Sequence, residues 1–160
     1  MNLYSKEPTE IEEVVMINTA SCSEIEEHLV KSSSTFRPPL DTYVNISEYS
    51  KKIKENATTI EIWKKKVLVG LLAAYFNNEE EKRGFITNVS VLPEYQGRGL
   101  GSVLLNKVLE YGREISYEEI VLEVRKENTK AIEIYKRFGF KESSSTKNSL
   151  YMIYHLNNEK

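Results

Sequence analysis

The chain has few of the residues that cross-link or anchor a protein from outside its core. It holds one cysteine, Cys22, in 160 residues. That excludes an intramolecular disulfide framework and fits a reducing compartment. It has two histidines, His28 and His155, far apart in the sequence. They give no metal-ligand spacing, so each reads as a structural or surface residue and no metal is expected. No run of 18 apolar residues occurs, so no membrane span is expected. The N-terminus, Met1-Asn2-Leu3-Tyr4-Ser5-Lys6-Glu7, is polar and then acidic, unlike a signal or transit peptide. Excess charge of one sign is also lacking: 22 basic residues face 24 acidic ones, a net charge of −2. Binding to nucleic acid by bulk positive charge is thereby disfavoured, whereas a local anion site is not. These absences lead to the expectation of a cytoplasmic protein with no nucleic-acid or membrane partner.

A core is well supplied, since 40% of residues are hydrophobic. A chain of this length buries roughly 70% of its unfolded surface as one domain, here residues 1–160. Residues 1–13 are polar and Glu-rich and are expected to be poorly ordered. Val14 to Ile17 suits a first strand. Ser23 and Glu26 read as a capping box opening a helix through Leu29 and Val30. Pro38-Pro39 stiffens the loop that follows. Ser47 is expected to cap a second helix, from Tyr49 to Glu55. Thr58–Trp63, Val67–Phe76 and Gly84–Leu92 are apolar or alternating runs separated by polar turns, the pattern of an antiparallel meander.

The period then changes. Pro93 ends the third run, and a glycine-rich turn leads into helical spacing at Leu100, Val103, Leu104, Val108 and Tyr111, through Ile115. A strand at Ile120–Val124 follows, and then a helix with Asn128 as N-cap. Its apolar face is Ala131, Ile134, Tyr135 and Phe138. Gly139 and Phe140 fit the closing positions of a Schellman motif. Strands near Lys141 and at Tyr151–Leu156 finish the chain. A strand–helix–strand unit implies a right-handed crossover and a parallel pair. The fold class is α/β (α+β), with a mixed sheet and helices on both faces.

The segment Gln96-Gly97-Arg98-Gly99-Leu100-Gly101-Ser102 is a glycine turn at a helix start. Consecutive backbone N–H groups there form an anion-binding concavity, and the helix dipole adds about half a positive charge. Glycines admit a phosphate without interference from a β-carbon. A Walker A loop would need Lys after its second glycine, and a dinucleotide fingerprint would need Gly-x-Gly-x-x-Gly; neither is present. A turn using glycine for geometry alone is the plain alternative.

These residues resemble the Gln/Arg-x-x-Gly-x-Gly/Ala signature of the GNAT superfamily, the acyl-CoA-dependent N-acetyltransferases. A second, independent resemblance runs from Leu122 to Phe140, with Asn128, Ala131, Tyr135 and Gly139-Phe140 in the family's order. The likeness covers about residues 58–156 and implies a mostly antiparallel GNAT-like sheet. It implies acetyl-CoA as cofactor, with CoA as product. Gln96, Gly97, Arg98, Gly99, Gly101 and Ser102 would cradle its pyrophosphate. Val89 and Val91 would pair with the pantetheine arm, between strands splayed at 85–92 and 120–124, and Asn128 would contact that arm. A backbone N–H near Val91 would polarise the thioester carbonyl. Tyr135 matches the family's general acid; core packing of its ring is the alternative.

The family's early-strand Glu is replaced here by Phe85, and no carboxylate lies between Gly84 and Leu92. A water chain ordered by Asn88 or Ser90, or a residue elsewhere such as Glu94 or Glu61, is left to serve as base. The resemblance places acceptor recognition in the loop between the first helices, with Phe36, Arg37 and Tyr43 as contacts and Asp41 nearby, and in the Ser143–Ser149 turn. The implied activity is acetyl transfer to a primary amine of a small molecule: an amino sugar, amino acid or polyamine. A protein N-terminus or lysine is a second reading, and a catalytically weak acyl-CoA-binding module a third. Homodimers are frequent in the family.

Overall fold

The structure, a computed structural model, describes residues 13–36 and 38–156. The expectations for residues 1–12 and for Arg37 therefore lie outside the described residues. Seven strands form one sheet in the order β1-β2-β3-β4-β5-β7-β6. They are β1 (Val14–Ile17), β2 (Thr58–Lys64), β3 (Val67–Tyr75), β4 (Arg83–Val91), β5 (Glu119–Arg125), β6 (Lys141–Ser145) and β7 (Ser149–His155). The helices are α1 (Cys22–Ser32), α2 (Ile46–Asn56), α3 (Leu100–Glu114) and α4 (Thr129–Phe138). Every pairing is antiparallel except β4 with β5, which is parallel, as the crossover through α3 requires.

The two faces carry separate cores. On one, Leu100, Leu104, Leu105, Val108 and Leu109 of α3 pack on Ile60, Ile62, Val69, Ile86 and Ile120, with Ile134 and Phe138 of α4 alongside. On the other, Ile25 and Leu29 of α1 and Ile53 of α2 pack on Leu68, Leu71 and Ala73. This second core is smaller because α1 and α2 sit on the first half of the sheet. The face formed by β5, β7 and β6 on that side has no helix over it among the described residues.

Three helix starts differ from the sequence expectation. The first capping box is Ser21 with Glu24: Glu24 N donates to Ser21 Oγ at 3.1 Å, and Ser21 N to Glu24 Oε1 at 2.9 Å. The same Ser-x-x-Glu spacing occurs two residues before the predicted one. It wins because the preceding peptides are already anchored, with Thr19 N and Ala20 N both donating to Glu61 at 3.0 Å. The second helix is capped by Asn45, whose Oδ1 accepts from Glu48 N at 3.0 Å, not by Ser47. Asn128 occupies the N-cap position of α4, but its side chain makes no capping bond. The other end of α4 is as expected. Gly139 has φ +112°, Phe140 N donates to Tyr135 O at 3.0 Å, and Gly139 N donates to Lys136 O at 3.0 Å. The Phe140 ring meets Tyr135 edge-on at 5.7 Å, the hydrophobic contact of a Schellman motif.

Candidate active site

The site begins where the sheet opens. The ladder between β4 and β5 runs from Arg83↔Glu119 to Ile86↔Leu122 and stops. Beyond it, Thr87–Val91 and Glu123–Arg125 have no ladder with each other. The opening is thus narrower than expected, because residues 85–86 and 120–122 remain paired.

A β-bulge accounts for the divergence. Ala73 faces Asn88 and Ala74 faces Ile86, so Thr87 is the extra residue of β4. A bulge bends its strand and breaks the alternation of side chains. Phe85 and Thr87 both face the α1/α2 side. After the bulge Asn88 and Ser90 take that side, while Val89 and Val91 join the α3 core.

Two side chains hold this opened strand from the α1/α2 side. Tyr49 of α2 donates to the Thr87 carbonyl at 2.7 Å and lies 2.9 Å from Thr87 Oγ1. Burial pushes the Tyr49 phenol up to about 12, so it stays protonated. His28 of α1 lies 2.9 Å from the Leu68 carbonyl through Nδ1 and 2.9 Å from Ser90 Oγ through Nε2. Burial lowers its pKa to about 4, so the ring is neutral at ordinary pH. Facing a carbonyl, Nδ1 carries the proton, and Nε2 accepts from Ser90. Ser90 Oγ also lies 2.8 Å from Asn88 Oδ1. A serine has one proton to give, so turning the Asn88 amide over resolves the competition. Tyr49→Phe would leave the Thr87 carbonyl without its donor. It is expected to weaken acetyl-CoA binding about fivefold and to lower Tm by a few degrees. Calorimetry and a melting curve measure the pair; a lower Tm with unchanged affinity would confine Tyr49 to stability.

The free edge of β4 presents donors and acceptors. Leu92 N donates to Val69 O in β3 at 2.9 Å. Main-chain groups alternate along an antiparallel strand, so those of Val89 and Val91 turn toward the opening. Gln96 Nε2 donates to the Val91 carbonyl at 3.3 Å. That bond occupies the Val91 carbonyl, while the Val91 N–H, which belongs to the preceding peptide, still faces the opening.

The glycine turn follows. Gly97 and Gly99 have φ of +79° and +80°, conformations that favour glycine. A β-carbon at Gly97, Gly99 or Gly101 would enter open space, with nothing within 4 Å. Gly99 is the N-cap of α3 and offers no side-chain cap, so the first N–H groups of the helix point at that space. Ser102 is exposed in the first turn. Arg98 folds back: its Nη2 donates to Glu94 O at 3.2 Å, and its guanidinium lies 5.0 Å from the Tyr95 ring centroid. The cradle is therefore a main-chain device, with the Arg98 charge at its rim.

Glu123 follows the last β4–β5 ladder pair on β5, and Tyr135 lies on α4. Tyr135 is half-buried against the α3 core, and burial pushes its phenol up to about 12. Glu123 is the first residue of β5 past the last ladder pair and is exposed. It faces Tyr151 across the β5–β7 ladder, and its charge raises the Tyr151 phenol. Sequence reasoning sought a carboxylate on β4 and found none; the structure has one on the facing strand. Its signal was the alternation Leu122-Glu123-Val124-Arg125, with both charged residues turned from the core.

The remaining expectations fare differently. Tyr43 is 56% exposed; partial burial raises its phenol, with smaller opposing effects of Arg125 and Glu123. Phe36 packs instead on the α1/α2 core. Glu61 is buried beside the start of α1, held by five hydrogen bonds, and is no base for this opening. Glu94 is exposed in the turn after β4. Cys22 lies at the first turn of α1, next to that Glu61 cluster rather than at the opening.

Residues 23–140 match the family model for the acetyltransferase (GNAT) family. The chain belongs to the GNAT family. Among its relatives, an N-alpha-acetyltransferase of Sulfurisphaera tokodaii is 40% identical over 62 residues, 38% of this chain and 37% of that protein. A spermidine N(1)-acetyltransferase of Vibrio cholerae is 31% identical over 111 residues, 67% of this chain and 64% of that protein. Either match covers less than two thirds of the relative's length. The fold is similar to that of the PaiA N-acetyltransferase of Thermoplasma acidophilum in complex with coenzyme A. That likeness has a TM-score of 0.71 at 15% identity and covers 89% of this chain and 99% of the other.

Proposed function

We propose that this GNAT chain, acting as one domain, transfers an acetyl group from acetyl-CoA directly to a primary amine. The observation that carries this reading is the coincidence of two features at one end of the sheet. The β4–β5 ladder ends at Ile86↔Leu122, and the open-spaced glycine cradle begins five residues beyond Val91, the end of β4. Acetyl-CoA supplies an activated thioester carbonyl. Main-chain N–H groups of Gly97, Gly99 and Gly101, with those of Gln96, Arg98 and Ser102, hold its pyrophosphate. Val89 and Val91 pair with the pantetheine arm, and the Asn128 side chain, unused as a cap, is free to bind the same arm. The Val91 N–H, facing the opening, stabilises negative charge developing on the carbonyl oxygen.

Glu123 takes the proton from the amine as the N–C bond forms. Tyr135 donates a hydrogen bond to the departing sulfur. A phenol near 12 remains protonated throughout. Full proton transfer to a thiolate near 8.5 is uphill by roughly three powers of ten, so Tyr135 acts chiefly as a fixed hydrogen-bond donor. No described cysteine stands at the opening to take the acetyl group first, which favours direct transfer.

The acceptor is an amine, and the sequence reading favours a small one. The relatives named for spermidine and for α-amines share the core of this chain, so the core alone does not choose between them. The experiment is thiol release from acetyl-CoA against a panel of amines, with Tyr135→Phe alongside. Tyr135→Phe is expected to lower kcat by roughly 10²–10⁴-fold with little change in acetyl-CoA affinity. An unchanged kcat would reduce Tyr135 to packing against Phe140.

A further inference from the structure

The uncovered face of β5, β7 and β6 forms a groove of about 780 Å³ on the α1/α2 side. Its floor is Tyr75, Phe85, Val121, Tyr151 and Ile153. No carboxylate is among its described lining residues. At the lower end its one cation, Arg83, is already matched by Glu119 at 2.7 Å and Glu81 at 3.1 Å. At the upper end Tyr151 stands opposite Glu123. Two residues further along β5 comes Arg125, on the same face because strand side chains alternate. Both are exposed, and Arg125 has only a long contact to Glu127, 3.9 Å, among the described ion pairs. Along one line the site presents an apolar floor, then a carboxylate, then a guanidinium.

We propose that the acceptor is a free α-amino acid with a large apolar side chain. This rests on the acetyl-transfer reading above and names its substrate. The α-amine meets Glu123, the α-carboxylate meets Arg125, and the side chain lies on the aromatic floor. A polyamine would need carboxylates along the groove, and the floor offers none. The end of a peptide would bring a neutral amide to Arg125 in place of a carboxylate, forgoing the stronger, charge-assisted hydrogen bond. Transfer forms one N–C bond and breaks one C–S bond. The amine proton passes to Glu123, and the products are the N-acetyl amino acid and CoA.

The test is thiol release near pH 8 with phenylalanine, phenylalaninamide, phenylethylamine, spermidine and a phenylalanine-led tripeptide. Phenylalanine is expected to exceed the amide in kcat/KM by at least about tenfold, the value of one charge-assisted contact. Arg125→Gln is expected to shrink that acid-to-amide ratio about tenfold, with acetyl-CoA affinity measured separately as the control for folding. Equal rates for acid and amide, or a faster tripeptide or spermidine, would overturn the amino-acid assignment and leave acetyl transfer standing. Acetyl-CoA binding without turnover of any amine would overturn both.

Discussion

Gly99→Val is expected to abolish measurable acetyl-CoA binding while leaving a folded protein. The β-carbon would project into the open space of the cradle, where nothing lies within 4 Å. That space is where the pyrophosphate would contact the first N–H groups of α3. The cost to the fold is limited to backbone strain, since Gly99 has φ +80° and a branched residue rarely adopts it. Such strain costs about 1–3 kcal/mol, against a typical stability of about 5–15 kcal/mol. Calorimetry with acetyl-CoA should show a loss of at least about 100-fold in affinity, equivalent to about 2.7 kcal/mol. A melting curve should show a folded protein with a modestly lower Tm. Retained affinity would mean that the turn is a plain turn and the phosphate lies elsewhere.

The second large effect is on stability. Glu61 is fully buried in β2. It accepts from Thr19 N, Ala20 N and Trp63 Nε1 at 3.0 Å each, and from the Thr19 and Thr59 hydroxyls at 2.5 Å. These bonds fasten the β1–α1 connection to the sheet and so set where α1 begins. Glu61→Ala would orphan five donors, two of them backbone groups. Each buried orphan costs about 1–3 kcal/mol, and partial access of water relieves some, so a net loss of roughly 3–5 kcal/mol is expected. At two to four degrees per kcal/mol, Tm should fall by roughly 10 °C or more.

The pH dependence of Glu61 follows from the same contacts. Burial alone would raise its pKa, but the bonds from Thr19, Thr59, Ala20 and Trp63 outweigh it and hold the pKa below the ordinary carboxylate value. A carboxyl group with a lowered folded pKa binds its proton more readily when unfolded. Its stabilisation is therefore fully present above the unfolded value near 4.3 and is lost as pH falls through the folded one. Tm measured against pH should drop on the acid side, and Glu61→Gln should flatten that limb. An acid limb identical in both proteins would assign it to other carboxylates.

Much of the fold was legible because its signals are local and periodic. The change from alternation in 58–92 to helical spacing after Leu100 located the crossover, and the crossover demanded the parallel pair. Gly139-Phe140 predicted the end of α4 because a Schellman motif depends on only a few consecutive residues. The glycine turn was legible for the same reason.

What was missed depends on contacts distant in sequence. The start of α1 follows from Glu61, about forty residues away, which anchors Ala20 and selects the earlier of two Ser-x-x-Glu boxes. The bulge at Thr87 leaves no local mark, since Ile86-Thr87-Asn88 reads as ordinary strand. It is visible only in the register against Ala73 and Ala74 and in the Tyr49 hydroxyl that caps its carbonyl. Glu123 was readable as a strand residue facing away from the core, yet its place at the opening depends on where the β4–β5 ladder ends. Asn128 shows the converse: a residue type well suited to capping occupies the cap position without capping.

The claim on which the mechanism depends is direct transfer between two substrates bound together, with no acetylated enzyme between them. Initial rates of thiol release, with acetyl-CoA and the best amine of the panel varied against each other, test it most directly. Intersecting double-reciprocal lines are predicted, because Glu123 and the glycine cradle serve the two substrates from opposite sides of one opening. Parallel lines, the pattern of an acetylated enzyme intermediate, would contradict it.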